Sequence, residues 1–328
     1  MSDKARATIH DRWVSDPDAV TLVDAHHHLW DLDRNHYPWL ADHPETHFFL
    51  GNYDALKRNY MPGDYRRDAT RHNVLATVHC EAEWDRDDQV GETAWLTRIH
   101  ENESMPAAIV AHAWFHTPNA PEVLARQASF PLVRGIRSKP ITSLSPDSMT
   151  PGVPGSMQDP AWLEGFSRLA KYRLSWDLRV PFWHLYEAAA VAAAFPATPI
   201  VLNHTGFPWD RSPEGLAAWQ RAMEAIAGQP NVWLKVSEFG LKDQPWDYES
   251  NRTIVRTAIS IFGIHRCMFA SNFPVAGLRV DYDALVRSVS RMLDDFSDGD
   301  RHRFFVGAAG EFYRLQGVDA DFDASAGA

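Results

Sequence analysis

The chain alternates short apolar segments with amphipathic segments along most of its length, and this order limits its fold more than any other feature. Eight segments have the apolar, β-branched character of strands: 20–25, 74–81, 108–114, 132–137, 174–180, 199–204, 231–237 and 266–273. Apolar residues at helical spacing predict helices over 88–103, 120–128, 159–171, 184–195, 213–228, 249–262, 281–297 and 300–315. Such helices supply the long crossovers that parallel strands need.

Eight strands with intervening helices in 328 residues predict an α/β protein with one domain over 1–328, a (β/α)8 or TIM barrel. An open, doubly wound sheet is the alternative. Two long segments follow predicted strands, 31–63 after the first and 138–158 after the fourth. We expect both to form active-site walls, because loops after the strands lie on the catalytic face of a barrel. The tail over 316–328 is expected to be frayed.

The charge balance narrows the choice of partner. The net charge is −11, from 32 basic and 43 acidic residues, which argues against binding to nucleic acid or to an anionic membrane surface. A small-molecule substrate is expected instead. The N-terminus has no apolar secretory segment and no apolar run reaches the roughly 18 residues of a membrane span, so we expect a cytoplasmic protein. Barrels often form homo-oligomers, but no segment marks an interface.

Two cysteines, Cys80 and Cys267, lie inside predicted strands, and their number gives no disulfide framework. We therefore expect both to be reduced and buried.

Histidines lie at the ends of two predicted strands, where a barrel carries its catalytic groups. The first strand ends in Asp24-Ala25-His26-His27-His28. A period of two predicts that Asp24, His26 and His28 share one face and that His27 points away. Two imidazoles on one face can reach the same metal ion or substrate atom. His204 ends the sixth strand, where it is either a third member of this site or a core histidine bonded to the backbone.

Four motifs follow in order along the chain: DAHHHLWD at 24–31, IVLNHTGFP at 200–208, NVWLKVS at 231–237 and MFASNFPV at 268–275, with YPWL at 37–40, VRGIR at 133–137 and EFYRL at 311–315. Together they resemble the amidohydrolase superfamily, and in particular its lactonase-rich amidohydrolase-2 branch. The resemblance covers nearly the whole chain and implies that His26, His28 and His204 are catalytic. It also implies that Arg137 grips an anionic or carbonyl oxygen of the substrate, for which its planar fork is suited. A surface ion pair is the other interpretation of Arg137.

The pattern breaks at the strand-eight position, where the superfamily usually has an aspartate and this chain has Asn272. We expect Asn272 to remain in the catalytic site, but an amide cannot take a proton from water. The segment Gly307-Ala308-Ala309 is a second departure, at a place where the family tends to have asparagine.

A bound metal ion is one way to activate water without the usual aspartate. The neutral side chains of His26, His28 and His204 could hold one divalent ion such as Zn2+, which lowers the pKa of bound water to about 7. No organic cofactor is expected.

The other way is a different carboxylate that serves as the general base. Glu81 is the preferred base, because Thr77, His79 and Glu81 are expected to share a face that brings His79 into the substrate site as well.

Asp177 and Glu238 are the alternatives to Glu81 as the base. Ser175, Asp177 and Arg179 are expected to share a face, and Lys235 lies nearby as a stabiliser. Asp177 and Lys235 are thus expected to contact the substrate. Structural ion pairs made by Glu81 and Arg179 are the competing interpretation.

The leading functional hypothesis is hydrolysis of a lactone, or a related carboxylic ester, of a small organic acid. A decarboxylase is the first alternative, mildly favoured by the loss of the base at Asn272, and release of carbon dioxide would identify it. A lactone isomerase would use the same site without net addition of water. A non-catalytic binding barrel would have no need of the three histidines.

Overall fold

The computed structural model describes Asp16, residues 18–42 and residues 45–319, and it confirms the predicted (β/α)8 barrel. Within these residues eight parallel strands pair in chain order, each with the next. Their bounds are β1 Thr21–His27, β2 Asn73–Cys80, β3 Ala108–Ala111, β4 Val133–Ile136, β5 Ser175–Leu178, β6 Ile200–Leu202, β7 Val232–Val236 and β8 Cys267–Phe269. Every predicted strand is present.

The ring closes where β8 returns to β1. Just beyond β8, the backbone N–H of Asn272 donates to the carbonyl of His26 (2.7 Å), and the N–H of His28 donates to the carbonyl of Phe273 (2.8 Å). Residues His27 and Phe273 form a parallel bridge at this point. The closure therefore lies at the carboxyl ends of the strands and brings the motifs of strands one and eight together.

Helices connect the strands on the outside of the barrel. Their bounds are α1 Pro38–Ala41, α2 Pro62–Asp68, α3 Gly91–Glu103, α4 Ala120–Ala128, α5 Pro160–Ser167, α6 Leu169–Tyr172, α7 Leu185–Ala194, α8 Pro213–Ala227, α9 Tyr248–Phe262, α10 Tyr282–Arg291, α11 Asp298–His302 and α12 Ala308–Tyr313. The predicted final helix over 300–315 is divided by a π-helical turn at Arg303–Gly307. Such a turn carries one extra residue, which a spacing of 3.6 residues does not anticipate.

The long helices begin at residues suited to cap them. The side chains of Ser212, Asp247 and Asp281 accept hydrogen bonds from backbone N–H groups in the first turns of α8, α9 and α10. These contacts satisfy N–H groups that have no partner within the helix. Capping thus fixes the residue at which each of these helices begins.

Aromatic side chains fill the space between the barrel wall and the surrounding helices. Trp176 of β5 faces outward, and its ring lies 5.1 Å from Trp162 and 5.2 Å from Phe166. The last helix instead sends Tyr313 inward, where its hydroxyl donates to Asp177 on the inner face of β5. A polar contact therefore lies inside the barrel, beneath the face that carries the motifs.

Both cysteines are free and buried, as predicted. Of the helices in the described part of the chain, none is long and apolar enough to span a membrane. Residues 320–328, most of the segment predicted to be frayed, lie outside the described residues.

Candidate active site

A pocket of 940 Å³ opens at the carboxyl ends of the strands. Its floor includes His28, Arg137, His204 and Asn272, which follow β1, β4, β6 and β8. Seven aromatic side chains form much of its wall: Trp30, Trp39, Phe48, Phe49, Trp183, Phe207 and Trp209. Segments 31–63 and 138–158 both contribute to the lining. An aromatic pocket with a few convergent polar groups is typical of a small-molecule site.

Three histidines lie together at this floor. The ring of His26 is 5.0 Å from that of His28 and 4.7 Å from that of His204. Burial, and then the neighbouring Arg137, lowers the pKa of His28 to about 3. Burial also holds the pKa of His26 and His204 well below the usual range, assisted by Lys235 and Arg179 respectively. All three rings are therefore neutral near pH 7.

A β-bulge corrects the predicted faces of strand one. The pairing with β2 shifts between Asp24 and His27, so one extra residue lies on β1. Asp24 accepts a hydrogen bond from Tyr65 of α2, and the ring of His27 packs 4.9 Å from the same tyrosine. Asp24 thus shares the outer face with His27. His26 and His28 share the inner face, as predicted.

Strand two presents a different residue inward from the one predicted. His79 pairs with His27, and its Nε2 lies 3.9 Å from the Glu92 carboxylate on α3. It therefore faces the helical shell and not the pocket, because its partner on β1 lies on the outer side of the bulge. Cys80 occupies the inner position.

His28, Asn272 and Glu238 form a row of polar side chains, in which Asn272 lies between the other two. The Nδ1–H of His28 donates to the carbonyl of Cys80 (2.7 Å), which leaves Nε2 with a lone pair in the neutral ring. That nitrogen lies 3.2 Å from Oδ1 of Asn272, and Nδ2 of Asn272 donates to the carboxylate of Glu238. Burial raises the pKa of Glu238 to about 7. Because His28 Nε2 and Asn272 Oδ1 are both acceptors, no hydrogen bond joins them in the neutral state. A proton bound to His28 Nε2 would form a hydrogen bond to Asn272 Oδ1.

His204 is held by the residues after β7. Its Nδ1 lies 3.1 Å from the hydroxyl of Ser237, and the Thr205 hydroxyl donates to the Ser237 carbonyl (2.7 Å). A hydroxyl that donates to Nδ1 leaves the N–H of the neutral ring on Nε2. His204 can then offer a hydrogen-bond donor to a substrate oxygen.

Left-handed backbone conformations occur at three of these positions. The φ angles are 59° at His204, 54° at Glu238 and 56° at Asn272. Each such non-glycine residue costs of order 1–3 kcal/mol, and such residues cluster at functional sites. The turns after β6, β7 and β8 thus direct these three side chains to one place.

Glu81, the preferred base, lies between two arginines. Arg137 Nε donates to its Oε1 (2.7 Å), and Arg86 Nη1 lies 2.9 Å from its Oε2. Although burial opposes them, Arg86 and Arg137 hold the pKa of Glu81 well below the usual range. Both carboxylate oxygens of Glu81 are thus occupied by arginines, so Glu81 orients Arg137 and is not free to take a proton from water. Arg137 lines the pocket, as the resemblance implies, but part of its fork is bound to Glu81.

Asp177 and Lys235 lie beneath the floor and contact each other. Lys235 Nζ is 2.5 Å from Oδ2 of Asp177 and 3.3 Å from Nδ1 of His26, and both side chains are fully buried. Tyr313 and Asn203 donate further hydrogen bonds to Asp177. Neither member of the pair lines the pocket, so substrate contact by Asp177 or Lys235 disagrees with the structure.

The donor atoms present fit a metal ion only in part. In the described part of the chain, one group of potential ligand atoms lies within 4.8 Å of one another: those of His26, Cys80 and Asp177. This spacing is compatible with one divalent ion. The chemistry fits less well, because the ammonium of Lys235 already contacts two of the three ligands, and burial raises the pKa of the Cys80 thiol to about 12. His26, His28 and His204 do not form such a group in these residues.

Arg179 and Phe207 also line the pocket, although the sequence motifs did not mark either as a substrate-binding residue. Arg179 directly follows β5, so the rule that polar residues at strand ends are candidates could have selected it. Phe207 gave no such signal, because an aromatic residue after a strand is equally typical of core packing.

The chain is similar to several known proteins along most of its length. The family model described as amidohydrolase matches residues 23–315. Protein y4mH of Sinorhizobium fredii, which is uncharacterised, is 36% identical over 90% of this chain and 99% of its own. An L-fucono-1,5-lactonase of Burkholderia ambifaria is 29% identical over 91% of this chain and 97% of its own.

A solved structure agrees with the fold. Crystal structures of an amidohydrolase from Burkholderia multivorans, one with bound HEPES and one with bound zinc, superimpose with a TM-score of 0.74. Their identities to this chain are 25% and 24%, over 90% of this chain and 99% of theirs.

Proposed function

The chain belongs to the amidohydrolase family, and we propose that it is a hydrolase that opens a small lactone with an activated water molecule. The observation that carries this proposal is the row from His28 through Asn272 to Glu238, placed beside His204 in the pocket. The likeness to L-fucono-1,5-lactonase supports a lactonase-like reaction.

His28 is the proton acceptor in this proposal. Its Nε2 takes a proton as water attacks the lactone carbonyl, and the new N–H donates to Oδ1 of Asn272. The ionised Glu238 accepts a hydrogen bond from Nδ2 of Asn272. It thereby keeps Oδ1 directed at His28, where it can accept a hydrogen bond from the new N–H. Glu238 thereby takes the role of an orienting carboxylate, acting through an amide.

His204 and Arg137 polarise the carbonyl. The Nε2–H of His204 and the N–H groups of Arg137 that Glu81 leaves free are donors to the oxygen on which negative charge develops. Loss of one such donor typically costs about 10²–10³ in kcat.

The reaction balances with water alone. The water oxygen bonds to the carbonyl carbon, the ring C–O bond breaks, and the proton held by His28 passes to the released ring oxygen. The product is a hydroxy acid, whose carboxyl group ionises near neutral pH. Each turnover therefore releases one proton to the buffer.

Proton release tests this function directly. We expect purified protein to open at least one member of a panel of five- and six-membered lactones, with one proton released per ring opened, measured with a pH indicator. His28→Ala is expected to lower kcat at least about 10²-fold, the usual contribution of a positioned acid–base group. Exposed His265→Ala is the matched control.

Three outcomes of the panel contradict the proposal. Carbon dioxide released from a carboxylic acid would identify a decarboxylase. A rearranged lactone in the NMR spectrum, formed without proton release, would identify an isomerase. A panel left untouched, with and without added zinc, would leave no support for a hydrolase.

Zinc content tests whether the site needs a metal. We expect wild-type protein to purify with well under one zinc per chain, because Lys235 supplies the positive charge at the donor group of suitable spacing found among the described residues. Asn272→Asp places a carboxylate beside His28 and is expected to raise the zinc content, measured by atomic emission. Asn272→Ala is the control. One zinc per wild-type chain, removed together with activity by a chelator, would instead support the three-histidine zinc site predicted from the sequence.

A further inference from the structure

Arg179 is a cation on the pocket wall without an acidic partner. It follows β5, and its guanidinium lies 5.7 Å from the ring of Phe49 and 5.1 Å from that of Phe207. Within the described residues, no carboxylate lies within 4.0 Å of it. Stacking on two rings orients a guanidinium but leaves its N–H groups free to bind a ligand.

Three of the four other cations that line this pocket have partners within the protein, and the fourth, Lys242, is exposed. Arg211 donates to the carbonyls of Pro208 and Phe239, so its N–H groups hold two loops together. Arg137 is bound to Glu81, and Lys139 forms an ion pair with Glu83. Arg179 differs from these three in that the described residues show no hydrogen bond or ion pair to its guanidinium, so its whole fork is available to a ligand.

Four cations lie close together in this part of the pocket. The carboxylates of Glu81 and Glu83 face three cations, Arg86, Arg137 and Lys139. Arg179 adds a fourth, close enough that it reinforces burial in lowering the pKa of Lys139 to about 7. The carboxylates of Glu45 and Glu238 also act on these cations, but neither forms an ion pair with Arg179 in the described residues, so an anionic ligand at Arg179 would supply the missing partner.

Phe207 connects Arg179 with the reacting groups. Its ring contacts the guanidinium of Arg179 at 5.1 Å and the ring of His204 at 5.1 Å. It also packs on Trp209 at 4.7 Å, with the two ring planes 33° apart. One small, flat molecule can thus reach both His204 and Arg179 along this aromatic wall.

We propose that the substrate carries a carboxylate on or next to its lactone ring, and that Arg179 binds this carboxylate while His204 contacts the carbonyl. This assignment rests on the proposed lactonase function. A bidentate guanidinium–carboxylate contact, which a sugar hydroxyl could not replace at equal strength, would select acidic lactones over neutral ones.

Matched substrates test this selection. Coumalate and paraconate each have a lactone ring with a carboxylate, and each is compared with its carboxamide. We expect wild-type protein to prefer the carboxylates in kcat/KM. Arg179→Gln is expected to lower kcat/KM for a carboxylate by roughly 30-fold or more, with little change for the carboxamide. Arg179→Lys should be intermediate, and exposed Arg126→Gln on α4 should match wild type.

A binding measurement separates this proposal from the proposed function. Isophthalate and isophthalamide differ in charge and contain no lactone, so calorimetry tests the subsite without turnover. Isophthalate binding to wild type that is lost in Arg179→Gln supports the subsite, even if no lactone is opened. Equal loss for charged and uncharged probes, or no preference for either in wild type, overturns it.

Discussion

Replacement of Glu238 by glutamine is expected to lower kcat by about 10²–10⁴-fold at pH 8, the range for loss of acid–base assistance. Glutamine keeps a hydrogen bond to Asn272 but removes the negative charge that favours a proton on His28. In wild type, kcat/KM is expected to rise with pH through about 7, because the pKa of Glu238 is raised to about 7 and only the ionised form orients the amide productively. Protonated Glu238 donates to Oδ1 instead, which turns Nδ2 toward His28 and blocks its lone pair.

The pH profile distinguishes this role from a structural one. We expect the rise in kcat/KM near pH 7, the acidic limb of the profile, to disappear in Glu238→Gln and to remain in Glu238→Asp. Because the folded pKa of Glu238 lies above its ordinary value of 4.5, its contribution to stability is lost as pH rises through about 7. Glu238→Gln should therefore be no less stable than wild type at pH 8 in a denaturant titration. An unchanged limb, or activity close to wild type, would rule out this role for Glu238.

Replacement of Asp177 by leucine is expected to lower the free energy of unfolding by about 3–5 kcal/mol, the usual cost of leaving a buried charge without its partner. Lys235 and Asp177 are both fully buried, so no water can replace the lost carboxylate. The Tyr313 hydroxyl also loses its acceptor. Urea unfolding, followed by tryptophan fluorescence, measures the change in midpoint.

A double variant is the matched control for this pair. Asp177→Leu with Lys235→Met removes both charges and should recover most of the lost stability, because apolar residues of similar size can replace a buried ion pair. The exposed pair Glu164–Arg168 on α5 and just beyond it gives a second control, and Glu164→Ala should change stability by less than about 1 kcal/mol. A double variant as unstable as Asp177→Leu would mean that packing, and not charge, holds this position.

The predicted strands and helices agree well with the structure, because each depends on local periodicity. Apolar runs such as 231–237 are buried on both faces of the barrel wall, and amphipathic runs such as 249–262 bury one face only. The division of the last helix was missed, since a π-turn at Arg303–Gly307 adds one residue without altering the apolar pattern.

The site was predicted in part. His28, His204, Arg137 and Asn272 all line the pocket, and His26 lies directly beneath it. The position of His79 was mispredicted because a bulge on the neighbouring strand reverses the alternation. Arg179 was considered only as an ion-pair partner, although it carries no such pair in the described chain.

The barrel and the clustering of its histidines could be predicted from the residues alone, because strand periodicity and strand ends are local features. Which groups act on one another depends on contacts in the folded protein. Asp177 and Lys235 neutralise each other below the floor, Glu81 is occupied by two arginines, and Glu238 reaches His28 through Asn272. These pairings depend on a bulge in β1 and on left-handed residues after β6, β7 and β8. Both are set by contacts between distant segments, so no local pattern of residues encodes them.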